Sequence, residues 1–119
     1  KMAKIETKEI TINQSKGAFS IFRRTSKTSK QDYKFEELSE LRQLLSNEKA
    51  RLLDVIKTQH PSSIYELSKK LGRGFKSVRD DVKLLEKFKI IELIPEKTKK
   101  RTRHKPVVSI ESLIIKINV

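Results

Sequence analysis

Lys76, Arg79, Asp80, Lys83 and Lys87 recur at helical spacing near the middle of this 119-residue sequence. At about 100° per residue they gather on one side of a helix, while Val78, Val82, Leu85 and Phe88 gather on the other. Ammonium and guanidinium groups held in such a row donate hydrogen bonds to phosphate oxygens and to base edges. A helix about 10–12 Å across also fits a DNA major groove about 12 Å wide. A merely solvated helix carries lysines opposite its core stripe too, so this face alone leaves DNA contact and plain solvation open.

The elements that must position this face are legible on either side of it. Ser63 is an N-cap with Glu66 three residues on, a capping box, and Ile64, Leu67 and Leu71 fall on one helical face behind it. Gly72 stops that helix and Gly74 offers a cap for the next, which begins at Phe75. Two helices across a tight turn form the layout of a DNA-reading helix-turn-helix. After Phe88 the periodicity changes: Ile90, Ile91, Leu93 and Ile94 are β-prone, Pro95 ends the run, and apolar alternation resumes at Val107. The economical reading is a hairpin with a long basic tip over 96–105, carrying Lys97, Lys99, Lys100, Arg101, Arg103 and Lys105 against Glu96 alone. Such a cluster suits a minor groove or phosphate backbone; the alternative is a solvated loop. His104, in the same run, reads as a phosphate neighbour or bystander.

The run from Leu71 to Glu92 resembles the recognition helix and wing entry of winged helix-turn-helix regulators of the MarR and ArsR type. Leu71-Gly72, Val78, Val82, Leu85-Glu86 and Ile90-Ile91 fall where those families place their L-G, V, L, L-E and G-L-I pattern. The chain is most similar to small archaeal and bacterial winged-helix proteins described as DNA-binding or transcriptional regulators, over about Leu41 to Ile117. It departs from them at Lys89, where they usually have glycine. The resemblance implies an α+β winged helix-turn-helix that binds double-stranded DNA and regulates transcription.

On that reading helix 75–88 enters the major groove, with Lys76, Ser77 and Arg79 reaching base edges and Lys83 and Lys87 on phosphate. Tyr65, Lys69 and Lys70 on the preceding helix, and Arg73 in the turn, are candidates for backbone contacts. Phe75 sits at the border of the apolar arc and reads as core or as a thymine-methyl contact.

Composition agrees with a polyanionic partner. Lys and Arg number 28 against 15 Asp and Glu, a net charge of +13 and an isoelectric point near 10.1. No cysteine is present, so neither a disulfide framework nor a thiolate metal site is expected. With no apolar run of membrane length and no apolar leader at the start, the expectation is a cytoplasmic protein that does not engage membranes.

Elsewhere the chain reads as flanking structure. Lys4 to Asn13 is isoleucine- and threonine-rich and reads as a strand. Residues 15–31 carry Lys16, Arg23, Arg24, Lys27 and Lys30 without an acid and read as a connection or a basic arm, although Phe19, Ile21 and Phe22 favour docking. Tyr33 to Leu45 is an amphipathic helix, and Ser46 caps a second over Asn47 to Gln59, with Ala50, Leu53 and Ile56 as its apolar face and Leu52 and Val55 beside it. Pro61 ends that helix. Leu113, Ile115, Ile117 and Val119 form the apolar face of a last strand, whose partner is the wing or the N-terminal strand. The organisation expected is an N-terminal strand and basic arm over 1–31 and the winged helix-turn-helix domain, with its C-terminal strand, over 32–119.

Catalysis finds no constellation. His60 and His104 lie in expected loops without a metal-binding spacing, Asp80 and Asp81 diverge by about 100° on a helix, and no phosphate-binding glycine loop occurs. The expectation is a non-enzyme with no cofactor and no metal, forming a homodimer because paired half-sites are common for the motif. Two readings of other classes remain. One is a winged-helix protein-interaction module, antitoxin-like or an assembly subunit, with an acidic protein partner. The other is RNA binding, for which the chain lacks the aromatic platform that stacks unpaired bases, since its few Phe and Tyr residues read mostly as core.

Overall fold

The structure, a computed structural model, describes residues 7–24 and 35–119. The described residues form an α+β arrangement of four helices and two small sheets. The chain divides into two compact units, Lys1–Gln43 with Ile110–Val119, and Leu44–Ser109.

In the first unit, strand β1 (Thr7–Ser15) pairs antiparallel with β2 (Ala18–Arg24) and parallel with the last strand, β5 (Ser112–Asn118), in the order β2-β1-β5. The turn between β1 and β2 is the two-residue Lys16–Gly17, both at positive φ, 54° and 82°. That geometry matches the twist of paired strands and favours glycine. The Gln14 side-chain oxygen accepts from the Gly17 N–H at 2.7 Å and holds the turn. Residues 18–24 are therefore a strand rather than the connection or arm suggested by their basic, acid-free composition. The pairing of Ile21 with Ile12, both buried, outweighs the flanking cations. The arm residues Lys27 and Lys30 lie outside the described residues. Strand β5, assigned by sequence to the 32–119 domain, runs beside β1 with Ile115 opposite Ile10. The pair is tied further by Thr7–Ser112 and Asn118–Asn13 side-chain hydrogen bonds. Helix α1 (Phe35–Leu44) falls within the expected amphipathic stretch and buries Leu41.

The second unit carries the candidate site. Helix α2 (Asn47–Gln59) starts where expected, with the Ser46 hydroxyl accepting from the Lys49 N–H. Its buried face is Lys49, Leu52, Val55 and Ile56; of the expected face Ile56 is buried, whereas Leu53 is half-buried and Ala50 exposed. The sequence misleads because the true stripe, positions 49, 52 and 56, begins with a lysine. Helix α3 (Ile64–Leu71) ends at Gly72, whose left-handed φ of 67° lets the Gly72 and Arg73 N–H groups close onto the Lys69 and Ser68 carbonyls. Helix α4 (Phe75–Lys87) follows after Gly74 and buries Val78, Val82 and Leu85, each 1% exposed or less. These join Leu52, Leu67, Phe88 and Ile91 in one core.

Helix α4 ends in the same double closure as α3, with Lys89 N–H on the Glu86 carbonyl and Ile90 N–H on that of Leu85. Here the left-handed position, φ 64°, is held by Lys89. A lysine Cβ costs about 1–2 kcal/mol in that conformation, partly offset by glycine's larger loss of chain entropy. Lys89→Gly is therefore expected to stabilise the unit by about 0.5–1 kcal/mol, read as a raised urea midpoint. An unchanged or lowered midpoint would show that the lysine is unstrained.

Strands β3 (Ile91–Lys97) and β4 (Thr102–Val108) form an antiparallel hairpin, Ile91 opposite Val108 and Lys97 opposite Thr102. Ser109 closes its base by donating from N–H and hydroxyl to the Ile90 carbonyl. The hairpin is longer and its tip shorter than expected. Pro95 lies within β3 opposite His104, and only residues 98–101 turn, held by the Thr98 N–H and hydroxyl on the Arg101 carbonyl. The strands tolerate Pro95 because each lies at an edge of a two-stranded sheet. Among the described residues, no helix is long and apolar enough to cross a membrane.

Candidate nucleic-acid interface

Helix α4 sorts its side chains as its periodicity requires. With Val78, Val82 and Leu85 inward, Lys76, Ser77, Lys83 and Lys87 are exposed on the outside. Nothing in its first turn opposes a negative ligand: the Gly74 cap supplies no side-chain hydrogen bond, no acid occupies the turn, and Lys76 sits within it. The helix N-terminus already carries partial positive charge, so Lys76 raises the potential where a typical helix lowers it.

Arg79 is half-buried and more constrained than its neighbours. Its Nε is shielded from solvent without a hydrogen-bond partner and lies 3.9 Å from the Asp80 carboxylate, while its guanidinium carbon is 6.0 Å from the centre of the Phe75 ring. The two adjacent aspartates take opposite roles. Asp80 is exposed beside Arg79, whereas Asp81 turns inward to Arg73 at 2.8 Å and to Lys49 at 3.5 Å. Arg73, a candidate for backbone contact by sequence, is thus tied to α4 and only 23% exposed. This network joins α2, the turn and α4. The letters give no sign of it, because a buried Lys49 is spelled like a surface one.

Helix α3 presents Tyr65, Lys69 and Lys70 to solvent, with the Lys69 ammonium 5.3 Å from the centre of the Tyr65 ring. Its start is capped in a variant of the expected box. The Ser63 hydroxyl accepts from the Glu66 N–H, but the Glu66 carboxylate accepts from the N–H and hydroxyl of Ser62 rather than from Ser63. These bonds, the Ser62 hydroxyl foremost, hold the Glu66 carboxyl below its usual range. A carboxyl lowered on folding stabilises the fold above its unfolded value, about 4.3, and that contribution disappears as pH falls through the folded value. The melting-temperature advantage of wild type over Glu66→Gln should therefore be present at neutral pH and shrink below about pH 4. An advantage independent of pH would remove the carboxylate from the cap.

The expected wing cations separate by position. Lys97 is on β3, Arg103 and Lys105 on β4, and Lys99, Lys100 and Arg101 in the turn; all are exposed except half-buried Lys105. Arg103 reaches toward the Ser62 hydroxyl at 3.4 Å, linking the hairpin to the start of α3. Between them opens a groove of about 950 Å³ whose walls include Ser62, Tyr65, Glu66, Lys69, Phe75, Arg101, Arg103 and His104. Phe75 is 43% exposed, so it belongs to this surface more than to the core. The structure thus brings Tyr65, Lys69, Arg101 and Arg103 to one groove, with Lys76, Ser77, Arg79 and Lys83 on the helix that starts at its edge.

The sequence model of a family described as HVO_A0114 matches residues 44–115, more than half of the chain. The chain belongs to the HVO_A0114 family. The match to HVO_A0114 takes in the whole 44–109 unit with its groove, and the first residues of β5. No curated protein matches the chain.

Proposed function

We propose that the chain is a winged helix-turn-helix protein that binds double-stranded DNA and regulates transcription. In this reading α3 and α4 are the helix-turn-helix, and the β3–β4 hairpin is its wing. The observation that carries it is the outer face of α4. Exposed Lys76, Ser77 and Lys83 stand opposite a fully buried valine and leucine stripe, on a helix whose first turn contains no acid. Solvation alone gives no reason to place a lysine and no carboxylate at the positive end of a helix dipole; a phosphate ligand does.

The division of labour follows from position. Lys76, Ser77 and Arg79, near the start of α4, read base edges in the major groove. Lys83 and Lys87 hold phosphates, as do Lys69 and Lys70 on α3, while Lys97, Lys99, Lys100, Arg101, Arg103 and Lys105 add the wing's grip on the backbone or minor groove. The protein acts as a homodimer on paired half-sites. Arg73 supports the site by fixing the turn to Asp81.

Titrating random-sequence duplex DNA at two salt concentrations tests the reading. Retention at low salt that weakens steeply as salt rises is the expected result; no retention at low salt would reject it. Selecting preferred duplexes from a random pool then tests the dimer, which predicts a palindrome.

A further inference from the structure

Tyr65 and Phe75 are exposed aromatic rings in a groove otherwise rich in cations, and a closed duplex offers such rings edges and thymine methyls but no base face. In paired DNA the base faces are stacked on one another, so a protein meets base edges, sugars and phosphates. Unpaired bases offer their faces, and each base stacked on an aromatic side chain adds roughly 1–3 kcal/mol of affinity by alanine substitution. We infer that the groove between α3 and β4 binds unpaired nucleotides, so that the preferred ligand is a duplex with a single-stranded extension rather than a blunt one.

Five observations converge on this. The rings line one groove, and both are substantially exposed, Tyr65 58% and Phe75 43%. Each has a cation beside it, Lys69 at 5.3 Å from the Tyr65 ring centre and Arg79 at 6.0 Å from that of Phe75. Each cation supplies charge for the phosphate adjoining a base held at the exposed part of the ring. Arg101 and Arg103 of the hairpin line the same groove and can follow the backbone of the same strand. The acid in the groove wall, Glu66, accepts from the N–H and hydroxyl of Ser62 and pairs with the Lys70 ammonium at 3.9 Å, which offsets its charge toward an incoming phosphate. Phe75 is also the first residue of α4. A strand leaving a duplex at the start of that helix therefore passes directly into the groove.

This inference rests on the duplex-binding reading, and the experiment separates the two. Fluorescence anisotropy on the full chain compares a labelled blunt duplex, the same duplex with a short DNA extension on either strand, and the same duplex with an RNA extension. The extended probe is expected to bind on the order of tenfold more tightly than the blunt one for each stacked base. Tyr65→Ala and Phe75→Ala should bring that ratio toward one, whatever they do to blunt-duplex affinity, and Tyr65→Phe should restore it. Equal affinity for blunt and extended duplexes would overturn the inference while leaving duplex binding intact. Ratios unchanged in both alanine variants would overturn it as well. An RNA extension favoured over DNA would keep the groove as a site for unpaired nucleotides and assign it to RNA. Absence of binding to every probe at low salt would overturn the duplex reading and this inference together.

Discussion

Asp81→Ala is expected to destabilise the 44–109 unit by about 3 kcal/mol, because it leaves Lys49 as a buried ammonium without its counter-ion. Lys49 is 7% exposed and Asp81 is its ion-pair partner at 3.5 Å, so no water replaces the missing carboxylate cheaply. Arg73 loses its 2.8 Å hydrogen bond in the same step, and with it the tie between the turn and α4. For a domain of this size 1 kcal/mol corresponds to roughly 4–8 °C, so the melting temperature should fall by on the order of 12–24 °C. Lys49→Met should be much milder, since it removes the buried charge with its side chain and leaves Asp81 paired to Arg73. Thermal unfolding of the two variants checks the contrast. A loss under about 1 kcal/mol for Asp81→Ala would place the network among surface ion pairs of small effect.

Replacing Lys100 and Arg101 together by alanine is expected to weaken binding to every duplex and to flatten the dependence of log affinity on log salt by about 2, close to 0.9 for each phosphate no longer neutralised. Both residues are exposed in or beside the short 98–101 turn, where no ion pair occupies them among the described residues. Arg79→Ala is expected to act differently. Its guanidinium is positioned by Phe75 and Asp80, and removing the group proposed to read a base should reduce discrimination between sequences by about 1–3 kcal/mol at that position, with little change in salt slope. Binding isotherms at several salt concentrations, on a selected and a scrambled duplex, measure both effects. Equal losses from both changes on every duplex would sink the division between reading and gripping residues.

The helices of the 44–109 unit were legible because their signals are local. Ser46 and Ser63 cap with their own side chains, Gly72 supplies the left-handed stop, and Val78, Val82 and Leu85 recur with the period of the helix they bury. The outward cations of α4 follow from the same period, since fixing one face of a helix fixes the other. No glycine stands at position 89, yet the left-handed closure forms there with Lys89, between the buried Leu85 and Ile90.

Local signals along the chain thus specify the elements and the charge they present: four helical segments, strands at both ends, and a basic face and hairpin. Tertiary structure alone decided which residues share a neighbourhood. It paired β5 with β1 across most of the chain, made residues 18–24 a strand, buried Lys49 against Asp81 and Arg73, and carried Arg103 to Ser62, 41 residues away. It also left Phe75 in a groove beside Tyr65 instead of in the core. The physical reason is one of range. Caps, turns and periodicity are set by backbone groups within a few residues, whereas the burial of a charge or the exposure of a ring depends on which distant segment arrives opposite it.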